Sequence, residues 1–287
     1  MKIAICLHGL ASGTNDRGVP VSFEEGIKSL KDNVFGDHDV DVFFHTWSKD
    51  SEEDLKEKYN PKRYLVEEQV IFEHPYGMDS KQYSFTPDIQ TKLQSTYSRW
   101  YSLGKCMNLK KEEEESKDFK YDFVLAPRFD MVFYEKFIKF EDLDPDKFYV
   151  SNWWHNKFNF GYSECWFLTG SDNADKIGDL YNQINGYLAE GSEYEKNLMS
   201  LREISPQEAP QIDNKISNHG LIKWHVDSNN IDTSFVGLEY NSWSLVRKMP
   251  QGRSNPYYPR GFPYPLDQPL EEEKVGSLAE GPRGAGW

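Results

Sequence analysis

The chain has 287 residues, 38% of them hydrophobic and 28% charged, with a formal net charge of −14 at pH 7. That length accommodates one large α/β domain or two small ones and is enough to bury a sizeable core. The acidic balance argues against nonspecific nucleic-acid binding and against anionic membranes, so a nucleotide ligand requires locally concentrated positive charge or a metal.

Aromatic residues make up 15% of the chain; their faces stack on sugar rings but fill cores equally well. Cys6, Cys106 and Cys165 are too few and too widely spaced for a disulfide framework or a zinc pattern, which points to a reducing compartment. The first apolar run is shorter than a signal peptide requires and no segment reaches membrane-spanning length, so a cytoplasmic location is expected.

The run from Lys2 to Leu7 predicts a short buried strand, broken by His8-Gly9. A polar, glycine-bearing loop follows over 11–18, then a helix over 22–30 and a second strand from Val40 to Trp47. This strand–loop–helix–strand opening has βαβ spacing. Residues 48–62 are charged and read as a surface excursion, with a short third strand expected at Gln69–Phe72.

Between Asp88 and Asn108, Ile89, Leu93, Tyr97, Trp100, Leu103 or Gly104, and Met107 recur at helical spacing. Ser95, Ser98, Arg99 and Ser102 lie off that stripe. The charge-dense stretch 110–120 reads as a solvated connector.

Phe123–Ala126 is an apolar strand that stops at Pro127, with two further strands expected at 148–153 and 165–169. Ser171 is placed to cap a helix running to about Leu188, and a last helix is expected over 211–224 with Ile212, Ile216 and His219 on one face. Seven of the fifteen prolines lie from Pro250 onward, among Gly-rich and Glu-Glu-Glu runs. This divides the chain into a domain over 1–249 and an extended or disordered tail over 250–287.

The densest chemistry sits directly after the Phe123–Ala126 strand. Ligands of open α/β sheets bind outside the carboxyl ends of strands. There Arg128 suits phosphate oxygens, and Asp130 suits a hard cation. The plainer alternative is an Arg128–Asp130 surface pair flanking a buried Phe129.

Lys2-Ile-Ala-Ile-Cys-Leu-His-Gly9, Asp41-Val-Phe-Phe-His-Thr-Trp47, Thr96-Tyr-Ser-Arg-Trp-Tyr-Ser102 and Tyr121-Asp-Phe-Val-Leu-Ala-Pro-Arg-Phe-Asp130 occur in that succession. Over roughly residues 1–230 it resembles a group of bacterial and viral glycosyltransferases with a GT-A-like nucleotide-sugar fold, in which Arg-x-Asp often replaces Asp-x-Asp. The resemblance implies a Rossmann-type mixed α/β sheet flanked by helices, a nucleoside-diphosphate sugar as donor, and a glycan-type acceptor, with a divalent metal (Mn or Mg) as cofactor; the acidic balance and the lack of a long apolar segment add the expectation of no nucleic acid and no membrane span. Asp130 then matches the metal and diphosphate position, and Arg128 contacts the donor. His8, Gly9 and Leu10 border the nucleotide with Thr46 and Trp47, and Arg99 joins the donor-binding set. This chain departs from the pattern in carrying His8 where such relatives often have Ser, and in holding one acid in Arg-Phe-Asp.

Glu164 is the candidate acceptor-side base, or else a partly exposed strand-end Glu. Trp153 and Trp154 form an acceptor platform or belong to the core. His219 completes a metal site with Asp130, or is simply a hydrogen-bonded, half-buried histidine.

Two other functions compete. Leu7-His-Gly-Leu-Ala-Ser-Gly13 is similar to the oxyanion loop of α/β-hydrolases, but the nearest nucleophile elbow, Gly161-Tyr-Ser-Glu-Cys165, lacks its closing Gly. The lone acid also suits a non-catalytic, nucleotide-sugar-binding domain.

Overall fold

A strand made of consecutive apolar residues has to be covered on both faces. The first strand, β1 (Lys2–Gly9), meets this condition at the middle of a sheet, with Ile3 through Leu7 completely buried. The computed structural model describes residues 1–14, 20–72, 89–136, 138–151, 160–206, 215–237 and 242–245.

After β1 come the small ribbon β2 (Gly13–Thr14) and β3 (Pro20–Val21), helix α1 (Glu24–Leu30) with a π turn to Phe35, and β4 (Asp39–Thr46). Then follow α2 (Glu52–Tyr59), β5 (Arg63–Val66), α3 (Ile89–Lys117), β6 (Phe123–Leu125) and β7 (Met131–Phe133). The second half contains β8 (Phe148–Val150), β9 (Phe167–Thr169), α4 (Ser171–Gly178), α5 (Leu180–Leu188) and α6 (Glu193–Ile204). It closes with α7 (Asn218–Ser228), β10 (Thr233–Phe235) and β11 (Trp243–Leu245).

Seven strands form the main sheet in the order β10-β8-β9-β6-β1-β4-β5. All run in one direction except β9, which is antiparallel to both β6 and β8. The result is a mixed, broadly Rossmann-like α/β sheet flanked by helices. Alternation along the strands separates two cores. Ala4, Cys6, Phe43, Val124 and Phe148 face α3, α4, α5 and α7. Ile3, Ile5, Leu7, Phe44 and Leu125 face α1, α2 and the β7–β11 ribbon.

The structure corrects several sequence-based expectations. The third strand is Arg63–Val66, paired with β4, and not Gln69–Phe72, which is coil whose Phe72 N–H donates to Gln94. The charged excursion contains α2, whose Leu55 and Tyr59 reach the core. Ser171 does not cap α4: Gly170 holds the cap position, and the Ser171 hydroxyl instead bonds Glu114. One turn residue, Asp179, divides the expected 171–188 helix into α4 and α5. The last helix begins at Asn218, so Ile216 precedes it, while Ile212 lies outside the described residues.

Helix α6 went unread, although Ser192-x-x-Glu195 is a capping-box spacing. The Ser192 side chain accepts the Glu195 N–H, and Glu195 accepts the Gly191 N–H.

The largest correction is α3, which runs through the supposed connector to Lys117. Lys and Glu are good helix formers, and at i,i+4 they pair on one face. Here such a pair is buried: Lys110 Nζ lies 3.0 Å from Glu114 Oε2, and their side chains are 0% and 1% exposed. Lys110 also reaches Asp175 at 2.7 Å and donates to Ser171 Oγ at 2.5 Å. Glu114 Oε1 accepts from Tyr121 N–H at 2.8 Å. The network ties α3 to the start of α4 and to the chain entering β6.

Removing one member of a buried ion pair typically costs about 3–5 kcal/mol. Glu114→Ala is therefore expected to lower unfolding free energy by about that much in urea titrations. Glu112→Ala, whose side chain is 59% exposed, should shift it by no more than about 0.5 kcal/mol. Burial raises the Glu114 carboxyl, but the bonds from Ser171, the Tyr121 N–H and Lys110 outweigh it and hold the group below its usual range. Its stabilisation is thus present above the ordinary Glu range and lost as pH falls through the lowered value.

Candidate functional site at the carboxyl ends of the central strands

From β1 the sheet grows outward through β4 to β5, and the chain then returns to place β6 on the other flank of β1. The strand order reverses at this point, where open α/β sheets hold their ligands. The two strand ends meet there: His8, near the end of β1, and Arg128, just past β6, form a parallel bridge.

Gly9 has φ +96°, a conformation that L side chains rarely adopt, and nothing lies within 4 Å of where a Cβ would stand. Its N–H donates to Ser102 Oγ at 2.7 Å.

Arg128 folds back on Asp130 in a bidentate pair, Nε to Oδ1 at 2.8 Å and Nη2 to Oδ2 at 2.7 Å. The Asp130 side chain is 1% exposed. Between them Phe129 is completely buried and packs edge-on against Phe44 and Tyr59. Helix α1 presses on the same turn: a Cβ on Gly26 would lie 2.3 Å from the Phe129 carbonyl oxygen. The plainer sequence alternative was correct about the pair and about Phe129, but the pair does not lie on the surface.

Arg99 reaches in from α3 and pairs with Glu164 at 2.7 Å, with side chains 11% and 15% exposed. His219, in the first turn of α7, donates from Nδ1 to the Tyr162 carbonyl at 2.9 Å. His8 is 2% exposed, and its Nε2 has no hydrogen-bond partner among the described residues.

These side chains from five separated parts of the chain sense one another. Burial lowers the His8 imidazole well below its usual range, and Arg99 and Arg128 lower it further against the pull of Glu164. Burial likewise lowers Arg99 and His219, each opposed by Glu164. For Arg128 burial acts against the charge, yet Asp130, Cys165 and Glu164 hold its proton more firmly than usual. The structure thus assembles His8, Arg99, Arg128, Asp130, Glu164 and His219 into one cluster, with each arginine facing a carboxylate.

The other predicted residues lie beside it. Leu10 and Trp47 line an open cleft of about 340 Å³ together with Ser12, Thr14, Ser48 and Glu68. The Trp47 ring stacks on Tyr101, with centroids 5.5 Å apart and planes at 22°. Thr46 is fully buried and accepts the Ser48 N–H at 3.1 Å, so it braces the loop. Trp153 and Trp154 lie outside the described residues.

Both Asp130 oxygens are engaged by Arg128, and no group of three or more His, Cys, Asp or Glu residues suited to a metal exists among the described residues. The hydrolase elbow is not formed: Ser163 is buried in coil that leads into β9, whereas an elbow follows a strand.

One arrangement escaped the sequence reading. Ser102 Oγ lies 2.6 Å from His45 Nδ1, and His45 Nε2 lies 2.9 Å from Glu67 Oε1. Ser102 and His45 are completely buried, and Ser102 already accepts the Gly9 N–H, so this relay holds the end of β1 in place and offers no nucleophile. Ser102 was placed off the apolar stripe of α3, and the only available hint was its recurrence among serines at helical spacing.

No protein-family model matches the chain, and no curated protein matches it significantly.

His8, His45 and His225 are each held below the ordinary imidazole range, burial being the largest cause. The folded chain therefore keeps them neutral, while the unfolded chain binds protons near pH 6.5. Stability is complete above that value and falls as pH drops below it, by up to about 1.4 kcal/mol per pH unit for each group. Thermal melts between pH 7.5 and 5.0 should show a falling Tm, with a shallower slope in His225→Gln.

Proposed function

We propose that the protein transfers a sugar from a nucleoside diphosphate donor to an acceptor hydroxyl. The observation that carries this reading is the convergence of Arg99, Arg128 and His8 at the switch point of the sheet, with Leu10, two residues along the chain from His8, lining a cleft bordered by Trp47. Two largely buried guanidinium groups stand where an anionic ligand of such a sheet would lie. Arginine pairs well with phosphate oxygens, and the Trp47 ring offers a flat wall for a nucleobase.

In this reading the acceptor oxygen attacks the anomeric carbon as the bond to the diphosphate breaks. The negative charge that develops on the leaving diphosphate requires preorganised positive partners, and Arg128 and Arg99 supply them. Asp130 orients Arg128 through its bidentate bond. Glu164 takes the proton of the acceptor hydroxyl once Arg99 turns to the phosphate, and a general base of this kind contributes about 10²–10⁴-fold.

A second reading rests on the pairing of both carboxylates with guanidinium groups: a domain that binds nucleotide sugars without turning them over.

The test is release of nucleoside diphosphate across a panel of sugar donors and acceptors, alongside calorimetric binding. Glu164→Gln is expected to lower kcat about 10²-fold or more while keeping nucleotide affinity. Equal turnover in that variant would remove Glu164 as the base. Tight donor binding without turnover would favour the binding module, and absence of binding would defeat both.

A further inference from the structure

We infer that this site takes up the donor's phosphate charge with its own side-chain cations, Arg99 foremost, and needs no divalent metal to do so. This rests on the transferase reading and departs from the metal that the sequence resemblance implies.

The site has spent the acceptors a metal would need. A hard divalent cation takes several oxygen ligands. Asp130 offers both its oxygens to Arg128 at 2.8 and 2.7 Å, in a side chain 1% exposed. Glu164 faces Arg99 at 2.7 Å. A cation bound at either carboxylate has to displace a guanidinium and then sit beside it.

What the site leaves unmatched has the opposite sense. Arg99 Nε–H is buried and, among the described residues, donates to no acceptor. It belongs to a guanidinium ion-paired through Nη1 and set over the Trp100 ring, so the Nε edge is the part of the fork left without an acceptor. An orphaned buried donor calls for an acceptor, and a phosphate oxygen is the acceptor that a guanidinium fork fits best. His8 Nε2, also buried and unpartnered, interacts electrostatically with Arg99 and marks the same place. Next to it Gly9, with open space where a side chain would stand, leaves room for a group to approach the backbone.

The experiment is calorimetric titration of the full chain, stripped of metal, with UDP, GDP, CDP and ADP, in EDTA and in MnCl2. We expect at least one nucleotide to bind in EDTA with a Kd within about threefold of its value in Mn²⁺. Asp130→Asn keeps the shape of the side chain but ends its use as an anionic metal ligand. The ratio of its Kd in EDTA to its Kd in Mn²⁺ should stay within about threefold, whatever the loss of Arg128's orienting partner does to affinity itself. Arg99→Lys keeps the charge beside Glu164 and loses the fork, and should weaken binding about tenfold or more with an unchanged Tm. Binding that requires Mn²⁺ and disappears in Asp130→Asn would overturn the inference while leaving the transferase reading intact. Failure of every nucleotide to bind in either buffer would overturn both.

Discussion

The rest of the structure is arranged around a strand that has no polar face. Ile3 through Leu7 are dry on both sides, so β1 can only be central, and helices have to cover both faces of the sheet around it. Burial of that run is non-directional and does not choose its neighbours. Hydrogen-bond register does: β4 pairs with β1 along its whole length, and β6 takes the opposite flank. Once both flanks are filled by strands that arrive from different directions in the chain, their carboxyl ends enclose a crevice. The site is therefore a consequence of topology before it is a matter of side chains.

The side chains at that crevice show how an acidic chain handles buried charge. Isolated charges in an interior are costly, and paired ones persist when geometry is good and further hydrogen bonds complete them. Arg128 and Asp130 satisfy this through a bidentate contact across a turn that is clamped by Phe129 below and by Gly26 of α1 beside it. Lys110 and Glu114 satisfy it at the far end of α3 through Ser171, Asp175 and the Tyr121 N–H. Helix α3 links the two regions: the same rod contributes Arg99 to the cluster, Ser102 to the Gly9 N–H, and Lys110 to the buried network. Rigid positioning of this kind is what a binding site needs, since the supporting contacts set where its donors point.

Parts of this were legible in the sequence because they are local. Apolar runs marked β1, β4, β6 and β9; the helical stripe of Leu93, Tyr97, Trp100 and Met107 marked α3; and the cation–anion step after a strand singled out Arg128 and Asp130. Short elements such as β5 were misplaced, since Arg63-Tyr-Leu-Val66 is a strand only because β4 offers it an edge. The charge run after Asn108 was taken for a solvated connector because charge normally seeks water. It is helix, with Lys110, Glu113 and Glu114 buried, because counter-charges and donors from α4 and β5 meet it in space.

What the sequence determined by itself was therefore the class of fold and the residue types able to bind an anion. Hydrophobic periodicity and the order of strands and helices are properties of neighbours along the chain. The tertiary structure decided which of those residues act together. It set Arg99 against Glu164 across 65 residues, joined His8 to Arg128, and engaged both Asp130 oxygens with Arg128. Those outcomes depend on distances between remote segments and on the low dielectric around them, and neither is written in local sequence.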